Sequence, residues 1–269
     1  MRYVAFTNHT RRVAVNLIFE GHSQADQRLV LMSDVGTSCY AGIHSNALSF
    51  TKGSVMQFLV FIGSVRNTTP PEPARLGARV AAACRRLLSA GGHGAELIDP
   101  LAFDLGGSFK PHFSYAKDRA PETLNRLADS IRSADGYVMV SPEYNHSMSP
   151  ALAHLLNHFG SSLFAWKPSA IITYSAGQWG GARAAMGMRG FLSELGCLPV
   201  SAMVHIPRAQ DALDEEGQWQ NDSERWDDYA GRTLTQLEWW AEAARHQRAD
   251  GEVAITGSFT KDPSQRNAP

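Results

Sequence analysis

The chain has 269 residues, of which 43% are hydrophobic and 19% charged, a composition typical of a globular protein with a substantial core. Its formal net charge of −1 provides no basic field, so we expect no nucleic-acid partner. No apolar run approaches the roughly 20 residues that span a bilayer, and the N-terminus lacks a secretory signal pattern, so we expect no membrane partner. Cys39, Cys84 and Cys197 are far apart in the chain, which is typical of reduced thiols in a cytoplasmic protein.

The organisation of the chain changes at residue 56, where a regular strand–helix pattern begins. Residues 1–55 contain short apolar runs but no repeated unit, so we assign them no function. Four segments are therefore expected: an N-terminal extension (1–55), a main domain (56–210), an acidic loop with a C-terminal helix packed on that domain (211–249), and a disordered tail (250–269).

Short apolar and β-branched runs alternate with helical periodicity through the main domain. The five runs that predict strands are Phe58–Ile62, Glu96–Asp99, Tyr137–Val140, Pro168–Tyr174 and Leu198–Val204. Alternating strands and helices predict a parallel sheet covered on both faces, and right-handed crossovers leave few topologies. The expected fold is an α/β doubly wound five-stranded parallel sheet of order 2-1-3-4-5 with helices on both faces.

The third predicted strand leads into a polar segment, residues 141–148, that we call loop three. Pro142 has no N–H for a strand ladder, so we expect the strand to stop there. Ser149 is suited to cap the following helix, with Pro150 at its first position. Loop three is therefore expected at the carboxyl end of a buried strand, where open α/β sheets bind ligands.

Two further polar loops are expected beside loop three in one crevice. Loop one (63–69) offers Ser64 and Arg66, which with backbone N–H groups form a phosphate cradle, or alternatively a capped turn with a surface arginine. Loop four (175–181) offers glycines for close backbone approach and Trp179 as an aromatic wall, while Tyr144 of loop three can stack on a flat ring. Neither a GxGxxG nor a GxxxxGK[ST] sequence is present, so the three loops together predict a mononucleotide with a planar ring.

The same three loops resemble the motifs of a known family. Gly63-Ser64-Val65-Arg66, followed by Arg75-Leu76-Gly77, resembles the phosphate loop of the NADPH-dependent FMN reductases, and Ser141–Ser147 and Ser175–Gly181 resemble its two flavin-ring loops. The resemblance covers residues 56–206 and implies a flavodoxin-like fold that binds FMN and NADPH. It also implies reduction of quinones, azo compounds or free flavins by a homodimer or homotetramer.

By this resemblance, fourteen residues are expected to contact FMN: Gly63, Ser64, Arg66, Pro142, Glu143, Tyr144, Asn145, His146, Ser147, Ser175, Gly177, Gln178, Trp179 and Gly180. Residues 67–73 look like an insertion relative to the family. Whether Arg66, Arg75 or Arg79 meets the phosphate is therefore open.

The resemblance implies ping-pong hydride transfer, from NADPH to flavin N5 and then to the acceptor. No side-chain acid or base is assigned, because the flavin carries the chemistry. Backbone N–H groups of loops three and four are expected to stabilise negative charge at flavin N1 and O2. Glu143 is expected to have a capping or pairing role rather than a catalytic one.

Three other interpretations are kept open. Ser175 follows a strand and precedes a helix, as does the nucleophile of a serine hydrolase. His154 and His158 lie four residues apart on a helix and could share a metal, although we assign no metal site. The protein could also be an FMN-bound redox sensor with little turnover, whose acidic segment 211–224 and Trp-rich terminal helix contact a partner.

Overall fold

The computed structural model describes residues 55–66, 75–105, 108–116 and 119–251, and the backbone of two earlier strands. Those strands, β1 (Asn16–Glu20) and β2 (Arg28–Met32), pair in antiparallel fashion. The chain divides into two compact units, residues 1–54 and 55–269. Cys39 and the predicted tail beyond Gly251 lie outside the described residues.

The larger unit is built on a parallel sheet whose strand order matches the prediction. Its strands are β3 (Gln57–Ile62), β4 (Gly94–Ile98), β5 (Gly136–Tyr144), the two-residue β6 (Ser147–Met148), β7 (Pro168–Tyr174) and β8 (Leu198–Ile206). The five long strands are ordered β4-β3-β5-β7-β8, which is 2-1-3-4-5 within this unit, and all their pairings are parallel. The short β6 pairs with the end of β5 and was not predicted.

Helices cover both faces of the sheet, as the doubly wound fold requires. They are α1 (Leu76–Ala90), α2 (Glu122–Ser133), α3 (Pro150–Asn157), α4 (Ser161–Phe164), α5 (Ala182–Glu194), α6 (Ala209–Ala212) and α7 (Ser223–Asp250), with two 3₁₀ turns at Pro100–Ala102 and His112–Ser114. One core cluster packs α1 and α7 against one face of the sheet. A second cluster packs the helices α2, α3, α4 and α5 against the other face. Among the described residues, no helix combines the length and apolarity needed to cross a membrane.

The prediction that Pro142 stops the third strand is wrong. β3 pairs with β5 only as far as Val140, so the next residues of β5 have β7 on one side and no strand of the ladder on the other. A proline is tolerated at such an edge, and β5 continues to Tyr144. Asn145 and His146 then adopt positive φ values of 51° and 61°, which makes the tight turn into β6.

The acidic segment 211–224, for which the sequence predicts a loop with its polar side chains in solvent, is in part buried instead. Leu213 is fully buried and bridges to Trp219, which is 8% exposed. Arg79, in α1, holds this segment by donating from Nη1 to the carbonyl of Leu213 at 2.8 Å. Two apolar side chains in an otherwise acidic stretch are thus enough to fold it onto α1.

We predict that Gly217→Ala destabilises the protein, because Gly217 has a φ of 79° and an added Cβ would lie 2.6 Å from the carbonyl oxygen of Arg79. The free energy of unfolding should fall by about 2 kcal/mol or more. Gly187→Ala in α5, where a Cβ meets nothing within 4 Å, is the matched control and should be neutral or stabilising. Urea unfolding measures both, and equal stabilities of the two variants would contradict the packing of this segment.

Candidate active site

Loop one packs tightly against the start of α1 and the end of β7. The N–H of Gly63 donates to the carbonyl of Val140 at 2.7 Å, which fixes the end of β3 against β5. Ser64 is 3% exposed. A Cβ on Gly77 would lie 2.5 Å from Ser64 Oγ and 2.6 Å from Tyr174 Oη, so only glycine leaves room there. Loop one, α1 and the end of β7 therefore meet in close contact around Gly77.

The N–H groups at the start of α1 receive no acidic side chain from the helix itself. Arg75 occupies the N-cap position without a side-chain cap, and the first turn contains no acidic residue. The partial positive charge of a 15-residue helix thus remains available to an anion. Arg75 Nη1 is buried beside it without a hydrogen-bond partner among the described residues, and the buried Ser64 hydroxyl lies next to the Tyr174 hydroxyl.

The three candidate arginines differ in what they contact. Arg79 is 6% exposed and is committed to the Leu213 carbonyl. Arg75 pairs with Asp99 through Nη2, and its buried Nη1 has no hydrogen-bond partner among the described residues. Arg66 is exposed at the end of the described part of loop one. Arg79 Nε, like Arg75 Nη1, is buried without a hydrogen-bond partner among the described residues, so these contacts do not by themselves choose among the three arginines.

Loop three is a hairpin rather than an irregular loop, and its base is fixed by hydrogen bonds. Ser141 Oγ donates to the carbonyl of Pro142 at 2.8 Å and accepts the N–H of Ser149 at 3.0 Å. Ser149 in turn caps α3, as predicted, by accepting the N–H of Ala151 at 3.1 Å. Asn145, His146 and Ser147 form the exposed tip.

Glu143 joins the hairpin to the start of α5. Its Oε2 accepts the N–H of Arg183 at 3.0 Å and that of Ala184 at 3.3 Å, and its Oε1 pairs with Arg183 Nη1 at 3.1 Å. Gly181, the N-cap of α5, has no side chain to serve those N–H groups. The capping and pairing contacts expected of Glu143 are thus present.

Loop four is held in place by its own serine and glycines. Ser175 Oγ donates to the carbonyl of Gly177 at 2.8 Å and accepts the N–H of Gly180 at 2.9 Å. Gly180 and Gly181 have φ values of 61° and 80° and lie against β8 and β7 respectively. Trp179 is 64% exposed, with the Arg183 guanidinium 5.4 Å from its ring centre. A rigid turn therefore presents an aromatic ring to the surface.

The structure brings the three loops to one edge of the sheet, at the carboxyl ends of β3, β5 and β7. Glu143 connects loop three to the start of α5, which directly follows loop four, and Tyr174 connects the end of β7 to loop one. Burial raises the pKa of Tyr174, whereas a hydrogen bond with Ser64 lowers it; Tyr144 raises it, and the charges of Arg75 and Arg66 lower it. These five side chains thus lie near one another. Tyr174 was missed because its apolar strand context indicated only a core residue.

The arrangements required by two of the alternative interpretations are not found in the described residues. Ser175 Oγ bonds within loop four, and the nearby His205 bonds through Nδ1 to Thr173 Oγ1 at 2.7 Å instead. His154 and His158 have ring centres 4.9 Å apart, but the part of the chain that the structure describes contains no group of three metal-ligating side chains. Burial lowers the pKa of His158, which packs against Phe109.

Comparisons with known proteins agree with the geometry. The sequence profile of the NADPH-dependent FMN reductase family matches residues 56–211. An NAD(P)H-dependent FMN reductase of Pseudomonas aeruginosa is 33% identical over 129 residues, 46% of this chain and 69% of that protein. A quinone reductase of Escherichia coli is 41% identical over 75 residues, covering 27% of this chain and 40% of that protein.

Among solved structures, the NAD(P)H:(acceptor) oxidoreductase FerB of Paracoccus denitrificans superimposes with a TM-score of 0.54 at 23% identity. The match covers 69% of this chain and 97% of FerB. At this identity the likeness concerns the fold, which is the flavodoxin-like fold that the motifs predict.

We predict that Glu143→Ala lowers the free energy of unfolding by about 2 kcal/mol, because two N–H groups of α5 lose their acceptor. Glu143→Gln keeps one acceptor oxygen and should lose about 1 kcal/mol. Arg183→Gln is the control: its side chain is 41% exposed, so losing the ion pair alone should cost less than about 0.5 kcal/mol. Thermal and urea unfolding measure the series, and a cost for Arg183→Gln equal to that for Glu143→Ala would contradict the capping role.

Proposed function

Because the chain belongs to the NADPH-dependent FMN reductase family, we propose that it reduces a quinone, an azo compound or a free flavin with electrons from NADPH. Bound FMN would supply the hydride chemistry between NADPH and the second substrate, in a ping-pong sequence. The observation that carries this proposal is the meeting of loops one, three and four at one edge of the sheet.

The residues at the start of α1 fit the phosphate of FMN. Arg75 Nη1 is a buried donor without a partner among the described residues, and the buried Ser64 hydroxyl is a second donor; phosphate oxygens would accept from both. The uncapped helix terminus adds backbone N–H groups to the same cradle. We infer that Ser64 and the arginines Arg66 and Arg75 hold the phosphate.

The flavin ring would be held by the hairpin and by loop four. Tyr144 and Trp179 offer aromatic faces, while Pro142, Gly177 and Gly180 allow backbone to approach closely. Backbone N–H groups of these two segments would stabilise the negative charge at N1 and O2 when electrons arrive. The other proposed contacts are Gly63, Glu143, Asn145, His146, Ser147, Ser175 and Gln178. No side chain acts as an acid or base in this proposal.

We further propose that the protein works as a homodimer or homotetramer in the cytoplasm. Trp179 and Met186 are each 64% exposed beside loop four, and apolar surface of this kind is commonly covered by a partner. Cys84 and Cys197 are free and buried, in keeping with a reducing compartment. Burial raises the pKa of each of these thiols to about 12, so neither is reactive.

The visible spectrum of the purified chain tests the proposal directly. We expect oxidised flavin absorption that NADPH bleaches under anaerobic conditions and menadione restores, with parallel double-reciprocal plots at varied menadione. Tight FMN binding with negligible turnover would instead identify a redox sensor. Purification without flavin, and no uptake of added FMN, would refute the assignment altogether.

The phosphate cradle makes a separate prediction about ligand choice. Ser64→Ala should weaken FMN binding by about tenfold, because one buried donor to the phosphate is lost, yet change riboflavin binding by less than about threefold. Ser89→Ala, at the exposed far end of α1, is the matched control and should bind both flavins normally. Fluorescence quenching titrations measure both, and equal losses for FMN and riboflavin would place the phosphate elsewhere.

A further inference from the structure

A cavity lies beside loop four, between the end of β8 and the beginning of α7. Its volume is about 520 Å³, and we call it the β8–α7 pocket. Its lining residues are His205, Pro207, Asp222, Arg225, Trp226 and Tyr229. None of the fourteen residues proposed to contact FMN is among them, so its chemistry is not explained by the flavin.

The β8–α7 pocket is continuous in packing with the proposed flavin site. A Cβ on Gly180 would lie 3.0 Å from the carbonyl carbon of His205. His205 therefore contacts loop four through its backbone and lines the β8–α7 pocket as well. The N–H of Arg208, which follows the pocket residue Pro207, donates to the carbonyl of Gly177 at 2.9 Å. Only the backbone of loop four therefore separates the β8–α7 pocket from the proposed flavin contacts Gly177 and Gly180.

The aromatic side chains of the pocket are held in fixed positions. Trp226 stacks on Trp219 with ring centres 5.0 Å apart and an interplanar angle of 14°. Tyr229 packs edge-on against Trp226, and its hydroxyl accepts the N–H of His205 at 3.2 Å. Rigid aromatic faces beside a cavity suit a planar base, because every base has a face that can stack.

Two charged side chains of the pocket, Arg225 and Asp222, make no side-chain hydrogen bond or ion pair with the residues that the structure describes. Arg225 is exposed and makes no ion pair or hydrogen bond with any residue that the structure describes. Asp222 occupies the N-cap position of α7 but makes no cap hydrogen bond with its side chain. An arginine fork matches a phosphate monoester, and a carboxylate matches a ribose 2′-hydroxyl.

We propose that the β8–α7 pocket binds the adenosine end of NADPH, with the base against Trp226 and Tyr229 and the 2′-phosphate on Arg225. The proposal rests on the proposed function, since it supplies the adenosine site for the same hydride donor. Asp222 opposes the 2′-phosphate and favours the 2′-hydroxyl of NADH. The balance between Arg225 and Asp222 thereby sets the preference between the two nucleotides.

Binding of 2′,5′-ADP to the FMN-loaded protein, measured by calorimetry, tests this without turnover. Arg225→Gln should weaken binding by about tenfold, because a charge-assisted contact to phosphate is lost. Arg126→Gln is the matched control: Arg126 is exposed on α2, which packs on the opposite face of the sheet, and its loss should change nothing. Asp222→Asn should strengthen binding, and asparagine tolerates the φ of 47° found there.

Steady-state kinetics supply the second measurement. Arg225→Gln should raise KM for NADPH by about tenfold and leave KM for NADH within about twofold, at unchanged FMN content. Unaltered 2′,5′-ADP binding in Arg225→Gln, or no binding to the wild type, would overturn the proposal while flavin reduction by NADPH still stands. Absence of NADPH oxidation alongside Arg225-dependent 2′,5′-ADP binding would overturn the proposed function instead.

Discussion

The site depends on a difference between two helices that begin at the same edge of the sheet. α5 has its first N–H groups covered by the carboxylate of Glu143, whereas α1 has neither a side-chain cap nor an acidic residue in its first turn. A negative ligand is therefore attracted to the start of α1 and finds no equivalent site at α5. The sheet edge thus has one end suited to an anion, and it is there that we propose the phosphate of the flavin.

Unequal strand lengths make this difference possible. β3 stops pairing at Ile62, but β5 continues past it to Tyr144 before the hairpin turns. The extra residues carry Glu143 far enough to reach α5, and the end of β3 leaves a step that loop one occupies. Pro142 is compatible with this longer strand, because β3 no longer pairs with β5 at that position and the missing N–H breaks no hydrogen bond to β3.

The sequence was sufficient for the sheet and insufficient for the contacts that complete the site. Apolar runs such as Phe58–Ile62 and the Ser149-Pro150 cap are local patterns, so strand order and the start of α3 could be predicted. Glu143 and α5 lie 40 residues apart, and Arg79 and Leu213 lie 134 apart, and no local pattern encodes such pairs. The hairpin could have been found, because asparagine tolerates the left-handed turn conformation at residue 145.

Loop four is the element that connects the flavin site to the β8–α7 pocket. Gly180 lies against His205 on one side and Gly181 lies against Thr173 on the other, each at a separation that leaves no space for a side chain. Thr173 and His205 are themselves joined by a 2.7 Å hydrogen bond, so the base of the loop is fixed to two adjacent strands. These contacts fix the backbone of loop four relative to both strands. Positioning of this kind is what the two proposed ligand sites require, because a hydride donor must be held at a defined place relative to the flavin.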